Sequence, residues 1–220
     1  MTVASRVETA RALAELGAVA VVRLESAARL RRVVDALVEG GIRAVEVTMT
    51  TKGALEALAE QSAHFGDSVV LGAGSVLDAE TARLAVAAGA RFVVGPTLCP
   101  GAVRVCHRYD VVSIPGGYTP TEIATAWESG ADLVKVFPAG SLGPGYLREL
   151  RGPMPHLRLM PTGGLTLDNA ADFLAAGAVV VGVGGALVER NAVERGDFAA
   201  ITERARRLAA SVREARARAA

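Results

Sequence analysis

Short β-branched runs alternate with longer segments rich in Ala, Leu and charge along the whole 220-residue chain, and few folds tolerate that pattern. The runs lie at 18–24 (AVAVVRL), 44–49 (AVEVTM), 69–74 (VVLGAG), 91–96 (RFVVGP), 111–116 (VVSIPG), 133–138 (LVKVFP), 157–164 (LRLMPTGG) and 179–184 (VVVGVG). Between most of them the apolar residues recur at helical spacing, as in 27–38, 51–63, 78–88 and 119–129. Gly40-Gly41, Gly89, Gly130 and Gly177 each precede a run, where a left-handed cap ends a helix. Thr119-Pro120 opens a helix, with Glu122 placed to complete a capping box. Eight parallel strands with returning helices predict an α/β fold, a (β/α)8 TIM barrel formed by residues 1–220 as a single domain. An open doubly wound sheet is the competitor, but no G-x-G-x-x-G with an acidic partner at dinucleotide spacing supports it. Residues 3–16 are amphipathic and are expected to form an N-terminal helix capping the barrel bottom. Residues 197–220 are expected to form a final helix whose arginine-rich face is solvated.

Bulk composition excludes several partners. With 24 basic and 23 acidic residues the net charge is +1, which gives no reason to invoke nucleic acid or an anionic membrane. No apolar run reaches the ~20 residues that span a bilayer. The N-terminus lacks an apolar signal core, so a cytoplasmic protein is expected. Cys99 and Cys106 do not form a CxxC pair and read as reduced structural thiols. His64, His107 and His156 have no second ligand at metal spacing, so no metal site is expected.

Lys135 interrupts the apolar run DLVKVFPA, and Lys52 is the chain's other lysine, against 22 arginines. Arginine cannot shed its proton near neutral pH to attack a carbonyl; a lysine amine can. Period-two alternation puts Leu133 and Phe137 on the face of Lys135, and Val134 and Val136 on the other. By the same rule Glu46 shares a face with Thr48 and Thr50, and Arg23 with Val19 and Val21. Arg23, Thr48, Lys135 and Thr162 therefore fall toward the C-terminal strand ends, where barrels carry their active sites. An amine to attack a ketone, a carboxylate to move protons and a guanidinium to hold a carboxylate make a chemical set. A buried Glu46–Lys135 pair with a purely structural role is the alternative.

The last two runs end in glycines: Gly163 and Gly164, then Gly184 and Gly185. In a barrel these ends are neighbours, and a short helix beginning near Ala186 would turn its positive end toward a phosphate. Tight-turn geometry explains the same glycines without a ligand.

GGIRAVEVT (40–48), GAGSVL (72–77), KVFPA (135–139) and PTGG (161–164) resemble, in order and spacing, the KDPG/KHG aldolase family. The resemblance covers almost the whole chain. It implies a metal-independent, cofactor-free class I aldolase on a (β/α)8 barrel, commonly a homotrimer, acting on a small 2-keto-3-deoxy acid. It implies that Lys135 is the Schiff-base lysine and Glu46 the general acid/base. It implies that Arg23, Ser75 and Thr162 contact the pyruvate moiety, with Pro96 and Phe137 as pocket walls. The implied reaction is cleavage of 2-keto-3-deoxy-6-phosphogluconate to pyruvate and glyceraldehyde 3-phosphate. The phosphogalactonate epimer and 4-hydroxy-2-oxoglutarate are the alternatives. Two positions depart from the family pattern: Thr50 stands where many members carry a substrate-binding arginine, and Gly185 where a serine often meets phosphate.

Overall fold

Helix α1 (Arg6–Leu16) begins on a capping box in which the Ser5 hydroxyl accepts from the Glu8 N–H and the Glu8 carboxylate accepts from the Ser5 N–H. The computed structural model describes residues 4–218, so Val3, where the sequence pattern of this helix starts, lies outside the described residues. Gly17, at φ 74°, turns the chain out of α1 and into the first strand.

Strands and helices then alternate: β1 (Ala18–Val22), α2 (Leu30–Glu39), β2 (Ala44–Thr48), α3 (Ala54–Phe65), β3 (Val70–Gly74), α4 (Ala79–Ala87), β4 (Phe92–Val94) and α5 (Pro100–Arg108). They continue as β5 (Val112–Ile114), β6 (Gly116–Gly117), α6 (Pro120–Glu128), β7 (Val134–Val136), α7 (Gly143–Arg151), β8 (Leu159–Pro161), α8 (Ala170–Ala175), β9 (Val181–Val183), α9 (Arg190–Arg195) and α10 (Phe198–Ala217). Every run read from the sequence carries a strand, mostly shorter than the run. The predicted caps form as well: Gly41, Gly89, Gly130 and Gly177 have φ between 91° and 98°. At α6 the Thr119 hydroxyl accepts from Glu122, whose carboxylate accepts from Thr119.

The strands pair in parallel as a curled sheet in two sections, β5-β4-β3-β2-β1-β9 and β6-β7-β8. The fifth run is split because Pro115 has no N–H to give a ladder. Its two halves therefore edge different sections. At this seam the Asp132 N–H donates to Ser113 O (3.0 Å), the Asp132 carboxylate accepts from the Ser113 N–H (2.9 Å), and the Lys135 N–H donates to Pro115 O (2.9 Å). At the other seam an isolated parallel bridge joins Thr162 to Gly182, and the Val179 N–H donates to Leu159 O.

Side-chain alternation divides the apolar residues. Val45, Val47, Val134 and Val136 pack outward in the layer between sheet and helices. Val19, Ala44, Val70, Phe92, Val112, Leu133, Met160 and Val180 pack inward, near the N-terminal ends of their strands, and meet Ala10 and Leu13 of α1. The polar inward residues follow toward the C-terminal ends. The face of α10 read as solvated is partly structural. Arg216 donates to the carbonyls of Ala14 and Glu15 at the end of α1, where orphan carbonyls need donors, and Arg207 pairs with Asp168 at 3.3 Å.

Candidate active site

β2 turns Glu46 and Thr48 inward, and both are buried. In register, Glu46 lies between Val21 of β1 and Gly72 of β3. Its side chain leans over β3: a Cβ built on Gly74 would lie 1.8 Å from Glu46 Oε1. Only a glycine leaves that space. Neither carboxylate oxygen of Glu46 has a hydrogen-bond partner among the described residues. Burial pushes this carboxyl above the ordinary glutamate value, while the charges of Lys135 and Arg23 pull it back.

β7 turns Lys135 inward between Gly116 of β6 and Met160 of β8. The side chain is 5% exposed, and its Nζ lies 4.9 Å from the centre of the Phe137 ring, within cation–π reach. Lys135 and Glu46 thus share the interior without a hydrogen bond between them. A carboxylate locked onto the amine by hydrogen bonds would be a structural clip. Here neither oxygen of the carboxylate is bonded to the amine.

The remaining residues singled out in the sequence ring the C-terminal strand ends. Arg23 directly follows β1, is exposed, and shares a cavity of about 550 Å³ with Thr50, Arg29 and Arg190. Thr50 and Ser75 meet across a second cavity of about 480 Å³. Ser75 has φ 59°, the left-handed region, as its chain turns out of β3. Pro96 and Phe137 line a third cavity of about 500 Å³ with Tyr118. Thr162 is buried at the β8–β9 bridge, its hydroxyl 3.4 Å from Met160 O.

The two glycine pairs differ. Gly163 (φ 84°) and Gly164 (φ 79°) need their positive φ, and side chains there would strike the Phe137 ring and Gly140 Cα. A Cβ built on Gly185 would meet nothing within 4 Å beyond its chain neighbours, so its missing side chain leaves open space. The short helix expected near Ala186 does not form. The N–H groups of Leu187 and Val188 both donate to Gly184 O, closing a single turn. Glu189 then extends at ψ 127°, and α9 starts at Arg190. Any anion site here rests on turn N–H groups.

Thr51 escaped the sequence reading. It is buried, and its hydroxyl accepts from the Leu24 N–H at 3.1 Å. Only the folded register brings these loops together; nothing in the sequence separates Thr51 from Thr50. Among the described residues no three His, Cys, Asp or Glu side chains cluster to hold a metal ion. No described helix is long and apolar enough to cross a membrane. Cys99 and Cys106 are free thiols, and burial pushes that of Cys106 up to about 12.

A curled parallel sheet with a buried amine and carboxylate below an open ring of arginine and hydroxyl groups defines a class, the α/β enzymes that work at the C-terminal ends of their strands. Residues 9–204 match the family of KDPG and KHG aldolases, and the chain belongs to that family. It is 42% identical over 181 residues to the 2-dehydro-3-deoxy-phosphogluconate aldolase of Treponema pallidum, covering 82% of this chain and 84% of that protein. It is 30% identical over 172 residues to the 2-dehydro-3-deoxy-6-phosphogalactonate aldolase of Escherichia coli, covering 75% of this chain and 84% of that protein. Among solved structures it resembles the KDPG aldolase of Legionella pneumophila with pyruvate captured at low pH as a covalent carbinolamine. The TM-score is 0.84 at 27% identity, covering 91% of this chain and 97% of that one.

Proposed function

We propose that this protein is a class I aldolase that cleaves 2-keto-3-deoxy-6-phosphogluconate to pyruvate and glyceraldehyde 3-phosphate through a Schiff base on Lys135. One observation carries the reading: a buried lysine amine and a buried, unpartnered carboxylate share one interior without being bonded to each other. Neutral Lys135 attacks the C2 ketone, and loss of water gives a protonated imine. Glu46 removes the proton of the C4 hydroxyl, the C3–C4 bond breaks, and its electron pair moves to the imine nitrogen as an enamine. The aldehyde departs. Glu46 returns a proton to C3, and hydrolysis releases pyruvate. The iminium is the electron sink, so the sequence of steps requires neither metal nor organic cofactor. A carbinolamine, as captured with pyruvate in the Legionella relative, is the adduct that precedes such an imine.

Arg23 is assigned to the substrate carboxylate, with Ser75 and Thr162 as further contacts and Pro96 and Phe137 as walls. Thr50 stands in place of an arginine, and the other guanidiniums of the cavity are engaged elsewhere: Arg29 with the Glu194 carbonyl, and Arg190 with Glu25 and Glu194. Gly163, Gly164, Gly184 and Gly185 are assigned to the phosphate through backbone N–H groups. The lack of a side-chain hydroxyl at Gly185 favours a second reading, in which the preferred substrate is 4-hydroxy-2-oxoglutarate and carries no phosphate. The phosphogalactonate epimer is a third, supported by the Escherichia coli relative. The hydrogen bonds across both seams support a complete (β/α)8 barrel of one domain, with α1 as its lower cap. A homotrimer in the cytoplasm completes the proposal.

Borohydride reduction in the presence of pyruvate tests the chemistry. The expected product is a three-carbon adduct on Lys135, read by intact-protein and peptide mass spectrometry. Unmodified protein, or label confined to the exposed Lys52, rejects the reading.

A further inference from the structure

The guanidinium of Arg23 is useful only if the segment that carries it is held, and β1 ends one residue earlier at Val22. Beyond that point the chain leaves the ladder that pairs Val22 with Val47. The next backbone donor after Arg23, the Leu24 N–H, does not return to β2. It is taken by the Thr51 hydroxyl at 3.1 Å. Thr51 is itself fixed from three directions. Its N–H donates to Thr48 O (3.0 Å), its carbonyl accepts from the Ala54 N–H (3.1 Å), and its hydroxyl lies 3.4 Å from that of Thr48. Thr48 in turn meets the Thr50 hydroxyl at 3.0 Å and stands two residues beyond Glu46 on the same inward face. A second strut, from the Ala27 N–H to Lys52 O at 3.1 Å, ties the same two loops together farther out.

We propose that Thr51 is a positioning residue for the carboxylate-binding cation: its buried hydroxyl locks the Arg23–Leu24 segment to the end of β2 and so aims Arg23 at the substrate. The assignment rests on the proposed role of Arg23. A fixed guanidinium loses little freedom when it grips a carboxylate, whereas a mobile one must be ordered by each substrate it binds. Arg29 and Arg190, which share the cavity, are engaged with Glu194 and Glu25, so the aim of Arg23 carries more of the binding. A purely structural hydroxyl would instead affect stability and leave substrate half-saturation where it was.

Pyruvate enolisation, followed as exchange of the methyl protons with deuterated water, separates these outcomes. Thr51→Val keeps the shape and removes the acceptor. Thr51→Ala removes the hydroxyl without adding an alternative methyl and serves if the valine variant does not fold. Either is expected to raise KM for pyruvate ~5- to 10-fold, the loss of about one hydrogen bond, with kcat within about twofold. Thr51→Ser should restore KM to near the unsubstituted value. In an Arg23→Met background the same Thr51 change should add nothing, because the group it aims is gone. Unchanged KM in the Thr51 variants, or an equal rise with and without Arg23, overturns the assignment while leaving the Schiff-base chemistry standing. Failure of the unsubstituted protein to enolise pyruvate overturns both.

Discussion

Glu46 is a buried carboxyl, with no donor among the described residues to replace the water that folding takes away. Its folded affinity for a proton is therefore raised above that of an unperturbed glutamate at 4.5. The sign of the stability effect follows. Below that value folded and unfolded chains both hold the proton, and the ionisation of Glu46 costs nothing. As pH rises the unfolded chain releases it first, so stability falls until the folded carboxyl also ionises. Glu46→Gln removes this penalty and is expected to raise Tm near neutral pH but not at about pH 4, by ~2–4 °C for each ~1 kcal/mol of desolvation relieved. The same substitution should lower kcat by ~10²–10⁴ while slower borohydride trapping at Lys135 persists. Calorimetry at two pH values and steady-state kinetics check the pair. Unchanged turnover would assign the proton transfer to another group.

Among the elements, β3 shows how a strand can serve by what it lacks. Gly72 makes room for the Phe92 ring and Gly74 for the Glu46 carboxylate; a Cβ at either would lie 2.5 Å or less from these groups. The glycine pairs that follow β8 and β9 divide along a different line. Gly163 and Gly164 are required by the turn itself, whereas the surroundings of Gly185 would admit a side chain. Phosphate recognition by backbone N–H groups alone predicts a preference for 2-keto-3-deoxy-6-phosphogluconate over its unphosphorylated counterpart, expressed as a KM lower by ~10-fold or more. Steady-state kinetics on both compounds and on 4-hydroxy-2-oxoglutarate measure it. Equal kcat/KM for the two sugar acids removes the phosphate from the reading and leaves Lys135 untouched. The facing of these strands was legible from sequence because period-two alternation needs no knowledge of neighbours: Val19 and Leu133 point inward with Glu46 and Lys135, while Val45 and Val134 point outward. The contact of Thr51 with Leu24 was not, because it depends on how two adjacent strands end. Nor was the positive φ of Ser75, since no residue type announces it. The expected helix at Ala186 failed for a similar reason: one carbonyl, Gly184 O, draws two successive donors and the turn closes on itself.

Across the whole molecule the interior has a polar end and an apolar one. Phe92, Leu133, Met160 and their neighbours fill the space at the strand N-termini, and Leu13 of α1, itself fully buried, closes on them. Lys135 and Glu46 stand beyond this apolar plug, toward the C-terminal strand ends. On the proposed chemistry pyruvate stays covalently tethered to Lys135 after the C3–C4 bond breaks, while the aldehyde fragment is already free. The two products must then depart in a fixed sequence, aldehyde first and pyruvate last. Product-inhibition patterns carry that signature: pyruvate should compete with the sugar acid for the empty enzyme, and the aldehyde should inhibit noncompetitively. A competitive aldehyde would mean that release is not ordered.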